Sequence, residues 1–424
     1  MRLKALSVIL LLLISGYCYP QYHTMLDYGE GKSLFSATAT LHAGSNSLTN
    51  QHFFRLRKGG HLSAAFLDDI ENSLTSGSAI GGYSISEITV LGDKVRCWGR
   101  DSLYITANAG YHQFQELLIN RSAASVAFHG NLRYEGDTLD IGPLLYQNQK
   151  YHQWKLGLTK VSAGTNGRFY AGFTAGINLG LQQMMIDISE ASLYTAPYGE
   201  YLELHTQMQF SRSAPETFSP SRIQGVGPAL DFFYAWIPDK GTSVYVSFSQ
   251  LGFIIWNNRS YSYQHDTTFI FEGIVIDNVF NVPDTWDSGL TNDTLDHWFN
   301  RHGKPHRHYT SLPLTFHLAF SRHISDYPLL LRGEVLYRHQ TLMKPYFVVS
   351  LDWKPVPRLI ISRSYAYGGY NSFTTGLTLK ANLFSGWWLT LGSNGIYPAV
   401  SPNAKLNLHL FGGLQYRTNS TIAR

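Results

Sequence analysis

Residues whose types could do chemistry gather in one stretch, Arg301-His302-Gly303-Lys304-Pro305-His306-Arg307-His308, where His306 and His308 would share a face of an extended chain and imidazole is a ligand for transition metals. Arg301, Lys304 and Arg307 would repel a cation there, and no carboxylate is fixed beside the imidazoles by spacing, so the stretch reads as a solvated loop rather than a metal centre. Seventeen histidines and many serines make chance Ser/His pairs inevitable. No Gly-x-Ser-x-Gly elbow places a nucleophile among them. Gly77-Ser78-Ala79-Ile80-Gly81-Gly82 lacks the helix and lysine of a phosphate-binding loop and reads as a flexible turn or plug segment. Asp68, Asp69 and Glu71 have the oxygens calcium takes, but their spacing fits no known calcium loop, and an exposed turn is the simpler reading. These residues assign no catalytic group, cofactor or metal. The chain does not read as an enzyme.

The elements that would hold any site are strands. From Phe169 the odd positions run Phe169, Ala171, Phe173, Ala175, Ile177, Leu179, Leu181, and the even ones Tyr170, Gly172, Thr174, Gly176, Asn178, Gly180, Gln182. Near the C-terminus Leu406, Leu408, Leu410, Leu414 and Tyr416 alternate with Lys405, Asn407, His409, Gln415 and Arg417. A period of two gives a strand one apolar and one polar face. Similar segments recur near 101–112, 200–210, 242–253, 312–322, 329–339, 345–353, 358–367, 371–383 and 386–396. Many run to ten residues or more. Soluble strands centre on about 5 to 6, whereas a tilted strand crossing a bilayer needs about 9 to 11.

Composition points the same way. Charged residues make up 15% of the chain against about a quarter in soluble domains, while 14% is aromatic and 38 residues are glycine, the types that barrel girdles and curved strands consume. No apolar stretch after residue 20 approaches 18 residues, which argues against helical membrane anchors. A net charge of +4 without basic runs gives nucleic-acid binding no support. Met1-Arg2-Leu3-Lys4 before the apolar run Leu6 to Ile14 is the layout of a secretory signal peptide ending near Cys18; a lipoprotein acylated at Cys18 is the rival. Its removal leaves Cys97 alone, so no disulfide forms within the mature chain.

Residues 1–18 are therefore read as signal peptide and 19–424 as one domain: an all-β, single closed antiparallel transmembrane barrel of about 14 strands, give or take two. Short links at 325–328, 354–357, 368–371 and 401–404 imply a meander. Residues 257–311, with Asp284, Asp287, Asp293 and Asp296, read as a long outer loop or inserted hairpin. A soluble β-sandwich, propeller or lectin-like array is the alternative, with protein covering the apolar faces. In the barrel, Asn178, Gln182, Asn407 and His409 are the expected lumen-lining residues, and Trp256 sits where a strand emerges into the headgroup layer.

Several pieces carry a resemblance: Gly44-Ser45-Asn46-Ser47-Leu48-Thr49, Ser192 to Ala196 with Gly199-Glu200-Tyr201-Leu202, and most specifically Leu251-Gly252-Phe253-Ile254-Ile255-Trp256-Asn257 with Phe271-Glu272-Gly273-Ile274. They resemble a Bacteroidota family of outer-membrane barrels known only as domain of unknown function 5723, over nearly the whole mature chain. One departure is Gln250, where the pattern has an acidic residue before Leu-Gly. The family is similar in layout to fatty-acid-transporter-like barrels and to barrels of the type IX secretion system, which is analogy of fold only. The resemblance implies outer-membrane lipid as surroundings, no cofactor, and either a small solute, hydrophobic ones included, or secretion-system proteins as the partner. It implies a pore or transporter, or else a scaffold for secretion or surface attachment.

Overall fold

The computed structural model describes residues 32–59, 61–97, 100–165, 167–213, 221–239, 241–271, 305–324, 327–370, 373–396 and 401–418. Eighteen strand segments form one sheet: β1 Lys32–Thr49, β2 Ser78–Cys97, β3 Arg100–Ile119, β4 Thr138–Asp140, β5 Leu144–Gly164, β6 Gly167–Thr195, β7 Leu202–Arg212, β8 Gly225–Ile237, β9 Thr242–Trp256, β10 Tyr261–Phe271, β11 Tyr309–Ser311, β12 Thr315–Ile324, β13 Leu329–Arg338, β14 Lys344–Val356, β15 Leu359–Gly369, β16 Phe373–Phe384, β17 Trp387–Ser393 and β18 Lys405–Thr418. β4 with β5, β7 with β8, β9 with β10 and β11 with β12 each continue one another along a single stave. The ring therefore has fourteen antiparallel staves and closes where β18 pairs with β1. Closure leaves no sheet edge open around the ring.

Its two ends differ. At the end carrying the start of β1 and the finish of β18, the links are tight, as at Pro357-Arg358 and Ser385-Gly386. The tight turn thus lies at the end of the 354–357 stretch, with Lys354 to Val356 still in β14. The opposite, distal end carries the longer connections, including α1 Asn50–Lys58 and α2 Ala64–Ser73 between β1 and β2, and α3 Arg121–His129 after β3. Each helix starts at a residue suited to the task, since Thr49, Ser63 and Asn120 accept the backbone N–H of His52, Phe66 and Ala123. Together they pack a small apolar cluster of Phe66, Ile70, Leu74 and Ala124 with Leu48 of β1.

The wall is tallest on one side. β6 runs for 29 residues; its first half pairs with β8 and its second with β7, which in turn pairs with β10. Much of what the sequence presents as a long loop from residue 257 is thus strand in its first part, and residues 272–304 lie outside the described residues. Two other expectations are corrected here. Ser78 to Gly82 opens β2 rather than forming a flexible turn, and Asp68 to Glu71 belong to helix α2 rather than to an exposed turn.

Outward rows are apolar on most staves: Phe173 and Ile177 on β6, Val349, Leu351 and Trp353 on β14, Tyr365 on β15, and Leu377 and Leu379 on β16 are all exposed large hydrophobics. The inward rows between them are serine, threonine, asparagine and charged residues, most of them buried. That is the inverse of a soluble barrel, whose interior is its apolar core.

Candidate functional site: the barrel lumen

Pairing rows carry the inward face around the wall: His42 opposite Tyr83, Tyr83 opposite Phe114, Ile85 opposite His112, and His112 opposite Tyr151. From across the lumen Arg338 of β13 lays its guanidinium 3.7 Å over the ring of Tyr83 and 5.3 Å from that of Phe114. His42 lies within 6.3 Å, centroid to centroid, of Tyr83, Tyr346, Tyr370 and His409. These rings form a collar toward the distal end of the lumen. Its tie point is Glu116, whose carboxylate accepts the Tyr370 hydroxyl, the Gln147 amide and, at 2.9 Å, the backbone N–H of Leu342. Gln147 also donates to the carbonyl of Gln340 at 3.4 Å, so β3 and β5 hold the β13–β14 link inward from the opposite wall.

A second group lies on β3, β5, β8 and β9. Lys155 pairs with Asp231, whose other oxygen accepts the backbone N–H of Gln250 at 2.8 Å. Gln250 has a φ of +64°, at a bulge where β9 has more residues than β8 opposite it. Its side-chain amide accepts from the Tyr151 hydroxyl at 3.2 Å and contacts Nδ1 of His112 at 3.1 Å, while Nε2 of His112 stands 3.5 Å from Glu87. His112 stacks on Tyr151 at 5.0 Å and 4°. Most of the polar groups drawn into this part of the wall thus have a counterpart, while Nε2 of His112 meets only the Glu87 carboxylate, beyond good hydrogen-bond geometry.

A third region is a cavity of about 100 Å³ on the β12–β18 side, lined among others by His317, Glu334, Ser350, Ser364, Lys380 and His409. Arg332 donates to Asp352 at 2.7 Å and His317 stands 3.3 Å from Glu334 along its wall. Hydroxyls and ion pairs line this chamber together with Tyr346, Phe411, Leu336 and Val348, and Tyr346 and His409 also belong to the aromatic collar.

The residues singled out by sequence are placed as follows. Asn178 is fully buried on the inner face, accepting from Gln153 at 2.8 Å and donating to the carbonyl of Pro228 at 2.6 Å. Asn407 and His409, on β18, are buried on the same face. Gln182 is different. Register shifts between Lys150 and Tyr151, leaving Leu181 as an extra residue, so Gln182 pairs opposite Lys150 and accepts its ammonium at 2.8 Å, on the face away from Tyr151. Leu251 and Phe253 point outward, 43% and 39% exposed, and Phe271 is exposed on β10. Trp256 is not at a headgroup surface: it is 0% exposed and its indole N–H donates to Thr310 at 2.9 Å. The bulge at Gln250 reverses which positions of β9 face out, which turns Trp256 inward. Gly252 stands so close to the carbonyl of Pro228 that a Cβ would collide with it, and Asn257 caps the following turn by accepting from Arg259 at 3.0 Å. Glu272 and Gly273 lie outside the described residues.

The rings of His306 and His308 lie 6.5 Å apart, centroid to centroid, in different surroundings. His308 turns toward Trp256 and sits 3.2 Å from the Gln183 amide oxygen, whereas His306 is exposed. Burial, and then the neighbouring His306, push His308 down to about 4 from the ordinary value near 6.5. The unfolded segment takes up a proton near pH 6.5 and the docked one only near pH 4, so docking is at full strength above pH 6.5 and weakens as pH falls toward 4. Protection factors in residues 305–311, which compare exchange with the intrinsic rate at each pH, are expected to fall as pH drops from 7.5 to 5, and His308→Asn, which cannot ionise, is expected to remove that dependence.

Sequence reasoning missed Glu116, Arg338, Asp231 and Tyr370. A faint signal exists, since Glu116 and Asp231 interrupt otherwise uncharged strand segments. The partners that give them meaning lie up to 254 residues away.

The sequence of residues 34–390 matches a family of unknown function, DUF5723. No curated protein matches. Among solved structures, the fold is similar to a mutant of the TodX monoaromatic hydrocarbon channel (6% identity, 96% of each chain, TM-score 0.45), the Ralstonia pickettii toluene transporter TbuX (7% identity, 92% of this chain and 90% of that one, TM-score 0.40) and the translocator domain of autotransporter NalP from Neisseria meningitidis (11% identity, 92% and 89%, TM-score 0.32). Likenesses this distant do not indicate a cargo.

Proposed function

The chain belongs to DUF5723, a family of unknown function, and from the barrel it folds into we propose an outer-membrane pore for a small solute, closed at its distal end by the collar around Glu116. The single observation that carries this reading is the reversed polarity of the wall, apolar outside and polar inside. Only a sheet closed on itself can meet hydrocarbon without unpaired backbone groups, and an interior of hydroxyls and ion pairs suits a passage better than a core. Strands of 10 to 13 residues in β12 to β16 match the length a tilted crossing needs, and short links at one end with longer ones at the other match the asymmetry of such barrels. Residues 1–18, read as the export signal, lie outside the described residues. A solute with an apolar body would pass the rings of the collar, and a polar group on it would be received by the chamber beside Arg332 and Asp352.

Opening requires the β13–β14 link to leave Glu116. Glu116→Gln replaces one acceptor oxygen with a donor, removing about 1.5 kcal/mol of charge-assisted hydrogen bonding from the closed form, roughly tenfold in the open-to-closed ratio. Purified protein in planar bilayers is expected to be nearly silent, and the variant to open about tenfold more often. Equal silence in both, together with no solute uptake into liposomes, would contradict a pore.

The scaffold reading is favoured by a different observation, the raised flap of β6, β7 and β10. Among the described residues β10 pairs along its length with β7 and on its other side only through a bridge from Tyr261 to Pro305, and Ile270 and Phe271 are exposed on it, so a partner could add to the rest of that edge. Replacing Ile270 and Phe271 with lysine should cost a scaffold its partner in a pull-down and leave the flux of a pore intact.

A further inference from the structure

The cap helices carry a cluster that the pore does not use. Asp68 and Glu71 stand three residues apart on α2, hence on one face, and His129 ends α3. Nε2 of His129 lies 3.1 Å from a carboxylate oxygen of Asp68 and 3.2 Å from one of Glu71, and the three atoms fall within 4.8 Å of one another. Neither approach is a hydrogen bond, because neither oxygen lies where a ring N–H would donate. Nε2 is nonetheless shielded from solvent. A protonated ring would make ion pairs with both carboxylates, and a cation bound by the neutral ring would take the place of that proton between the same three atoms.

We propose that Asp68, Glu71 and His129 form a site for a divalent transition cation of the zinc class, which clips α2 to α3 at the barrel's distal end. Zinc takes one imidazole nitrogen and carboxylate oxygens at about 2.0 to 2.2 Å, and a tetrahedron with such bonds holds its ligand atoms roughly 3.4 Å apart. The two nitrogen–oxygen separations fall a few tenths of an ångström short of that. Three protein ligands leave a fourth position for water. The nitrogen selects against calcium, which takes oxygens, and Asp69, the third acid of the run, is turned away to His52 at 2.8 Å.

Two cations oppose the site. Arg121 and Arg133 reach within 3.6 and 3.7 Å of Glu71, with 54% and 41% of their side chains exposed, so both can swing into solvent when a metal arrives. They weaken the binding and supply the sharper test. Zinc titrated into the full-length protein in detergent against a chromophoric chelator is expected to bind at one equivalent. His129→Ala and Asp68→Asn should each weaken it by about tenfold or more, a loss at least as large as outer-shell changes cause. His306→Ala with His308→Ala should leave it unchanged, and Arg133→Gln, by removing a competing charge, should tighten it, an outcome that a disrupted cap cannot produce. Binding that survives His129→Ala, or no binding at all to the intact protein, overturns the proposal.

Discussion

Val349→Arg is expected to cost the barrel about 2 to 4 kcal/mol of folding free energy in lipid, the price of a cation on the hydrocarbon face near the bilayer centre. Val349 lies mid-way along β14, between Gly333 and Tyr365 on the neighbouring strands, and is 53% exposed. At that exposure a soluble sheet would tolerate the change within about 0.5 kcal/mol. The two solvents therefore predict different sizes of effect for one substitution. Reversible urea unfolding in vesicles, followed by tryptophan emission and by gel mobility of the folded band, measures it.

Asp231→Ala is expected to be as damaging for an opposite reason. The change strands the Lys155 ammonium, whose side chain is 3% exposed, on the inner wall and takes the acceptor from the Gln250 N–H at the β9 bulge. Breaking a buried pair from one side costs about 3 to 5 kcal/mol, while replacing both members with apolar residues is often close to neutral. Unfolding midpoints of Asp231→Ala and of the double variant with Lys155→Met should separate these cases, the double variant recovering most of the loss. If the single variant unfolds like the parent, Lys155 is bathed in water and the wall there is open.

The alternation that runs through β6 and β18 was legible because a strand's two faces report their surroundings at every second residue, and the fourteen staves follow from counting such segments. What alternation cannot report is a change of phase. Gln250 and Leu181 each add a residue to one strand, and past them the inward and outward positions exchange, which is why Trp256 is buried and Gln182 faces Lys150. The cap helices escaped for another reason: at nine or ten residues each, with apolar faces of only a few residues, they carry too little periodicity to stand out. The collar was invisible because Glu116, Arg338 and Tyr370 meet only after the ring has closed. Asn178, Asn407 and His409, by contrast, lie within unbroken alternation and are buried.

The account's central claim is that acyl chains touch the outer rows, and Trp154 offers the most direct measurement. It lies mid-way along β5, 59% exposed, on the row opposite to that of Gln153 and Lys155. The emission lost on Trp154→Phe isolates its contribution. In vesicles of lipids brominated along the acyl chain, that contribution is predicted to be strongly quenched and to be insensitive to iodide in the buffer. Quenching by iodide with no response to the bromines would place the residue in water and contradict the membrane barrel.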